Sequence, residues 1–205
     1  MIRIVLLLIG YGFGLIQSGY FIGRLYGIDI HSKGSGNVGA TNVQRVLGTK
    51  TGLIVLACDF LKALVPCMIV KSIFRENPDT ALLYCMYCGF GAVLGHNFPF
   101  YTGFRGGKGV AASAGLLFAL NPLLGAVIVA LFLCVVTITK FVSLGSIAAF
   151  VFYLPAACIL YGNHTEFIIL SFIVSLLGVI RHLPNIHRLI AGKENKFSFK
   201  RKKDE

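Results

Sequence analysis

Three short polar segments in an otherwise apolar chain hold the residue types that could do chemistry. The first runs from Gly95-His96-Asn97-Phe98-Pro99 to Phe104-Arg105-Gly106-Gly107-Lys108-Gly109. Its glycines let backbone N–H groups converge on an oxyanion, since no Cβ blocks the approach. Lys108 adds a point charge. The apolar run from Val110 predicts a helix whose N-terminal dipole also favours an anion. Gly106, Gly107 and Gly109 are therefore expected to cradle a phosphate, with His96 beside them. No Gly-x-x-x-x-Gly-Lys-[Ser/Thr] pattern can be drawn here, so nucleoside triphosphate use has no support.

The second segment is Gly34-Ser35-Gly36-Asn37-Val38-Gly39-Ala40-Thr41-Asn42, followed by Arg45. It is too polar to span a bilayer and too long for a simple connection. Ser35, Asn37, Thr41 and Asn42 can hydrogen-bond a small polar ligand, and Arg45 can grip a phosphate with two parallel bonds. The third is Arg181-His182-Leu183-Pro184-Asn185-Ile186-His187-Arg188, then Gly192 and Glu194. His182, Asn185 and Arg188 would join the same pocket if the last apolar run ends beside the glycines. Asp59 and Lys62 stand three apart on one helix face, where an intramembrane acid and base pair with each other.

The elements that must position these groups follow from composition. The 205 residues are 56% hydrophobic and 13% charged, against about 25% charged in soluble domains. Mean hydropathy is +0.80. The chain reads as an all-α integral membrane protein, one polytopic domain over 1–205 with a basic tail at 195–205. Apolar runs fall at about 4–26, 52–74, 80–98, 110–120, 122–138, 143–161 and 167–180. A span needs about 20 apolar residues, so about seven spans are expected, or five if the middle pair is re-entrant. The run at 110–120 reaches span length only if its helix begins near Gly106. Gly10 and Gly14, then Gly19 and Gly23, form two pairs at spacing four in the first run, a pattern that admits close helix approach.

Fifteen of the 19 Lys and Arg residues flank the runs on one side. By the positive-inside rule that side is cytoplasmic, leaving the N-terminus outside and the C-terminus inside. The formal charge of +11 thus reads as orientation and anionic lipid or substrate rather than nucleic acid. The six cysteines all lie within apolar runs, and Cys85-x-x-Cys88 has no second ligand pair, so they read as packing. No metal or cofactor is called for. Gly-x-Ser-x-Gly is absent, and the residue five after His96 is Tyr101, so neither an esterase elbow nor a His-x4-Asp acyltransferase motif is present. The site must either transport or act on a substrate that arrives already activated.

Taken together, the three segments resemble the acyl-phosphate:glycerol-3-phosphate acyltransferase family of bacterial membranes, the PlsY type. The resemblance rests on Gly34-Ser35-Gly36-Asn37, Gly39, Thr41-Asn42 and Arg45; on Gly95-His96, Pro99, Phe104 and Gly106-Gly107-Lys108-Gly109; and on His182, Asn185-Ile186, Arg188-Leu189, Gly192 and Glu194. It covers nearly the whole chain. It implies acyl transfer from acyl phosphate to the 1-hydroxyl of sn-glycerol 3-phosphate, without acyl-CoA or a carrier protein. It implies catalytic roles for Ser35, Arg45, Lys108, His182 and Asn185. Substrate contacts are implied for Gly36, Asn37, Thr41, Asn42, His96, the three glycines and Arg188. Asp59, Lys62 and Glu194 are read as structural. A soluble acyl-phosphate-producing enzyme is the implied partner. His96 or His182 could act as base, although the donor's own phosphate can take the proton. The alternative class is a transporter of small phosphate esters.

Overall fold

A computed structural model describes residues 1–197, all helix and connecting loop. Ten α-helices follow in order: α1 (Ile2–Gly14), α2 (Ser18–Leu25), α3 (Ala40–Leu47), α4 (Thr49–Ile73), α5 (Pro78–Asn97), α6 (Val110–Leu120), α7 (Pro122–Thr139), α8 (Val142–Tyr161), α9 (Thr165–Arg181) and α10 (Leu183–Ile190). Two of them start on the same device. Asn77 and Asn121 each precede a proline, and their side-chain oxygens accept from the N–H of Thr80 at 3.0 Å and of Leu123 and Leu124 at 3.1 Å. Such caps satisfy first-turn donors, and proline gives up an N–H that would be orphaned anyway.

The first run is not one straight span. It breaks at Leu15–Gln17, between α1 and α2. Gln17, almost wholly buried, donates to the carbonyls of Gly14, Gly95 and His96 at 3.1–3.2 Å. One amide thereby ties the end of α1 to the end of α5 and satisfies carbonyls that the break leaves open.

The glycines at spacing four do bring helices close. A Cβ on Gly10 would lie 1.8 Å from the Cys88 carbonyl oxygen, and one on Gly14 would lie 2.3 Å from that of Ala92. The fit is reciprocal: Gly91 and Gly95 of α5 would meet the carbonyls of Leu7 and Tyr11 at 2.1 and 2.2 Å. The α1 and α5 backbones are in direct contact, as small-residue motifs allow.

The helical segments fall where the apolar runs predict, but not every one has by itself the length and apolarity of a span. Among the described residues, four stretches have the length and apolarity of a span: α1 with α2, α4, α7 and α8. The pair α9 and α10, bent by 50°, makes a fifth. The middle pair differs. Twelve of the twenty α5 residues are buried inside the protein, so its polar and glycine content faces neighbours rather than lipid. Helix α6 begins at Val110, not near Gly106, because Gly109 takes φ +80° and starts the helix there. Its 11 residues span about 16 Å, half of a bilayer core. It is packed between α4, α5 and α7. The basic tail expected at 195–205 lies mostly outside the described residues.

Candidate active site

The loop before α3 is held by one asparagine. Asn42 accepts from the Ser35 N–H at 2.8 Å and donates to the Lys33 carbonyl at 3.0 Å. Both ends of its amide are used, and it is buried. Asn42 thus shapes the loop that presents Ser35 while itself lining the cavity. Asn37 likewise accepts from the Gly39 N–H at 2.9 Å, and Gly36 turns the chain at φ +70°. Among the described residues, Ser35 and Thr41 are the hydroxyls of this segment with no hydrogen-bond partner, and both lie on the cavity wall.

The glycine cradle needs a correction. The Gly106 N–H donates to the Asn97 carbonyl at 3.2 Å and the Gly107 N–H to the His96 carbonyl at 3.0 Å. These donors terminate α5 and have nothing left for a ligand. The carbonyls of the same residues are also occupied. Arg181 reaches the Gly106 oxygen at 3.0 Å and the Gly107 oxygen at 2.8 Å. The glycines are required for closeness instead: a Cβ on Gly107 would stand 2.0 Å from His96 Nε2. Gly107→Ala therefore displaces the Lys108 loop as a whole. It is expected to depress kcat and to raise the KM for every anionic substrate together, which steady-state kinetics on detergent-solubilised variants would read. What remains for an anion is the first turn of α6, beginning at Gly109 and Val110 on the cavity wall, where N–H groups have no partner within the helix.

Lys108 reaches into the cavity and donates to Asn185 Oδ1. Asn185 donates in turn to Glu194 Oε1 at 2.8 Å, and the same carboxylate accepts from Ser143 at 2.9 Å and Arg188 at 2.7 Å. Asn185 thus has both amide ends engaged, fixed so that its oxygen faces the ammonium. Burial, with Arg188 close by, pulls the Lys108 ammonium down to about 8, against an opposing pull from Glu194. Arg45 completes the mouth. Among the described residues its guanidinium has no hydrogen-bonded acceptor, and burial lowers its pKa from the usual range. Glu194 stays below the usual carboxylate range through its bonds from Asn185, Arg188 and Ser143, although burial opposes them. Arg45, Lys108 and Arg188 therefore face one carboxylate, leaving excess positive charge in a half-buried mouth.

His182 also lines this mouth. Its Nδ1 lies 2.7 Å from the Gly178 carbonyl oxygen. A carbonyl only accepts, so the proton sits on Nδ1 and Nε2 keeps its lone pair.

Beneath the glycines lies a buried polar cluster. Lys62 Nζ donates to Asp59 Oδ1 at 2.9 Å, to His96 Nδ1 at 2.8 Å and to the Ile16 carbonyl at 2.7 Å. Paired with the Asp59 carboxylate, the amine is an ammonium with three donors, all used, so His96 accepts at Nδ1 and carries its proton on Nε2. Ser18 adds a bond to Asp59 at 3.2 Å. The cluster joins α2, α4 and α5 under the loop. His96 belongs to this support, with one ring nitrogen committed to Lys62.

Below the mouth opens a cavity of about 660 Å³. Its walls turn apolar within two helical turns: Leu56 and Phe60 of α4, Ala114 and Phe118 of α6, Phe132 of α7 and Phe150 of α8. Sequence reasoning passed over Arg181, Gln17 and Ser143. Gln17, an amide inside an apolar run, was the readable signal. Arg181 and Ser143 carried none, one lost in a basic flank and the other at a helix start.

A cationic set of side chains above an apolar slot in a membrane bundle suits an anion joined to a lipid chain. Residues 4–192 match the family described as glycerol-3-phosphate acyltransferase. A Thermoanaerobacter sp. (strain X514) glycerol-3-phosphate acyltransferase is 39% identical over 201 residues, covering 98% of each chain. One from Aquifex aeolicus is 37% identical, covering 96% of this chain and all of that one. The crystal structure of PlsY, an integral membrane glycerol 3-phosphate acyltransferase, in its glycerol 3-phosphate form superposes with a TM-score of 0.84 at 35% identity, covering 96% of both chains. The chain belongs to the glycerol-3-phosphate acyltransferase family.

Proposed function

We propose that this chain transfers a fatty acyl group from acyl phosphate to the 1-hydroxyl of sn-glycerol 3-phosphate, at the cytoplasmic face of a bacterial plasma membrane. The products are 1-acyl-sn-glycerol 3-phosphate and inorganic phosphate. The observation that carries this reading is the excess positive charge of Arg45, Lys108 and Arg188 directly above the apolar cavity. Two phosphates brought together repel, and cations fixed in a partly dry mouth offset that repulsion without reorganising. The acyl tail lies in the cavity, which sets the carbonyl carbon at the mouth.

Acyl phosphate is a mixed anhydride, so no covalent enzyme intermediate is needed. The acceptor's hydroxyl oxygen attacks the carbonyl carbon, and the bond from that carbon to the phosphate oxygen breaks. The hydroxyl proton passes to an oxygen of the departing phosphate. That route requires no base from the protein. Ser35 and Thr41 stand free to hold hydroxyl or phosphate oxygens. The first turn of α6 points its amides at the same space.

The glycines, Asn42 and Asn185 act one step back, fixing Ser35 and Lys108. The alternative of phosphate-ester transport gains nothing from a cavity whose lining cations, Arg45, Lys108 and Arg188, all gather at one mouth. The orientation follows from the Lys and Arg bias of the loops. The donor implies a soluble partner enzyme that makes acyl phosphate.

The test is direct. Purified protein with acyl phosphate and labelled glycerol 3-phosphate yields labelled lysophosphatidate, without added metal, CoA or ATP. Turnover with acyl-CoA alone, and none with acyl phosphate, would overturn the donor assignment.

A further inference from the structure

The cavity has a floor at one level on four helices. The lining residue farthest from the mouth is Phe60 on α4, Phe118 on α6, Ile128 on α7 and Tyr153 on α8. Counted from the mouth-side start or end of each helix, at 1.5 Å per residue, all four lie about 12–17 Å in.

The floor is rigid. Phe118 meets Phe60 edge to face, with centroids 5.6 Å apart and rings at 73°. Its other side rests on Gly125 of α7, where a Cβ would stand only 2.8 Å from the ring. Tyr153 is buried, and its hydroxyl is bonded to Ser171 at 2.9 Å. Nearer the mouth the wall is looser: Leu53, Leu56 and Leu133 line the cavity and are themselves exposed. A tail entering there has freedom to arrive from lipid, and its far end meets fixed rings.

We infer that the Phe60–Phe118 pair is the chain-length stop of this enzyme, with Gly125 setting how far the Phe118 ring stands out of the cavity. The inference rests on the reading that the cavity takes the acyl tail of the donor. A tail that ends at the rings fills the slot. A longer one must bend back toward Leu56 and Leu133, and a shorter one leaves a void whose lining loses its contacts. In hydrophobic pockets one misplaced methylene changes kcat/KM by about tenfold or more.

The experiment measures kcat/KM for decanoyl, dodecanoyl, tetradecanoyl, hexadecanoyl and octadecanoyl phosphate with the purified chain and two variants. Phe118→Ala opens the floor and is expected to favour longer tails, by about tenfold relative to the wild-type optimum. Gly125→Ala pushes the ring into the cavity and is expected to shift the optimum to shorter tails. The KM for glycerol 3-phosphate should stay unchanged in both, because the floor is remote from the mouth. Should Phe118→Ala fail to fold, Phe60→Leu replaces it with the same expected direction. Unchanged length profiles, or a uniform loss across all donors, would overturn the stop. A wild-type protein inert toward every acyl phosphate yet active with another donor would instead overturn the reading beneath it.

Discussion

Lys108→Ala is expected to lower kcat/KM by about 10²–10³-fold, the cost of removing one preorganised donor aimed at developing charge. The ammonium is held by Asn185 and sits among Arg45, Arg181 and Arg188, with Glu194 as the nearby counter-charge. The neighbouring arginines repel it, so its removal relieves strain in the empty protein. The thermal midpoint should hold or rise while activity collapses, which separates a catalytic loss from a folding loss. The pH dependence carries a sign. With its pKa lowered to about 8, the ammonium loses its proton as the pH rises through that value. Wild-type kcat/KM for glycerol 3-phosphate should therefore fall above about pH 8, since this parameter reports the free enzyme. In Lys108→Arg any residual activity should lack that limb, because a guanidinium stays charged. A flat wild-type profile from pH 7 to 10 would remove Lys108 from the anion site.

Lys62→Ala is expected to do the most damage to the fold. It leaves the Asp59 carboxylate buried with only the 3.2 Å bond from Ser18, and it strips the Ile16 carbonyl and His96 Nδ1 of their donor. Breaking a buried pair in this way costs about 3–5 kcal/mol. The exposed pair between Arg3 and Glu166, at 2.9 Å, provides the contrast: Arg3→Ala should cost less than about 1 kcal/mol. Thermal unfolding of both variants in detergent gives the comparison. A wild-type midpoint in Lys62→Ala would mean that the cluster does not hold α2, α4 and α5 together.

Which parts of this arrangement were legible in the sequence follows from the range of the interactions. Helix positions were readable because twenty apolar residues have one physical solution in a bilayer. The α1–α5 contact was half readable: Gly10 and Gly14 announced a close approach but not the partner, since the matching Gly91 and Gly95 lie 81 residues on. Residue types at the mouth were readable, as Arg45 and Lys108 are hard to place otherwise in so apolar a chain. Their division of labour was not. Nothing local distinguishes a glycine that offers its N–H to a ligand from one that spends it on the end of the preceding helix, as Gly106 and Gly107 do. Asn42 and Asn185 raise the same difficulty. An asparagine in a polar loop looks like a ligand group until both ends of its amide are traced to protein partners.

The grip of Arg181 on the Gly106 and Gly107 carbonyls has a consequence for how the protein is made. The mouth draws on Ser35 early in the chain, Lys108 midway and Glu194 near its end, and the clamp itself arrives with the last long helix. A ribosome that has delivered the first five helices has released every apolar wall of α4 and α5 into the membrane but no working centre. Chains interrupted before Glu194 would lack the carboxylate that Ser143, Asn185 and Arg188 hold. The mouth is therefore assembled last, although its parts enter the membrane helix by helix.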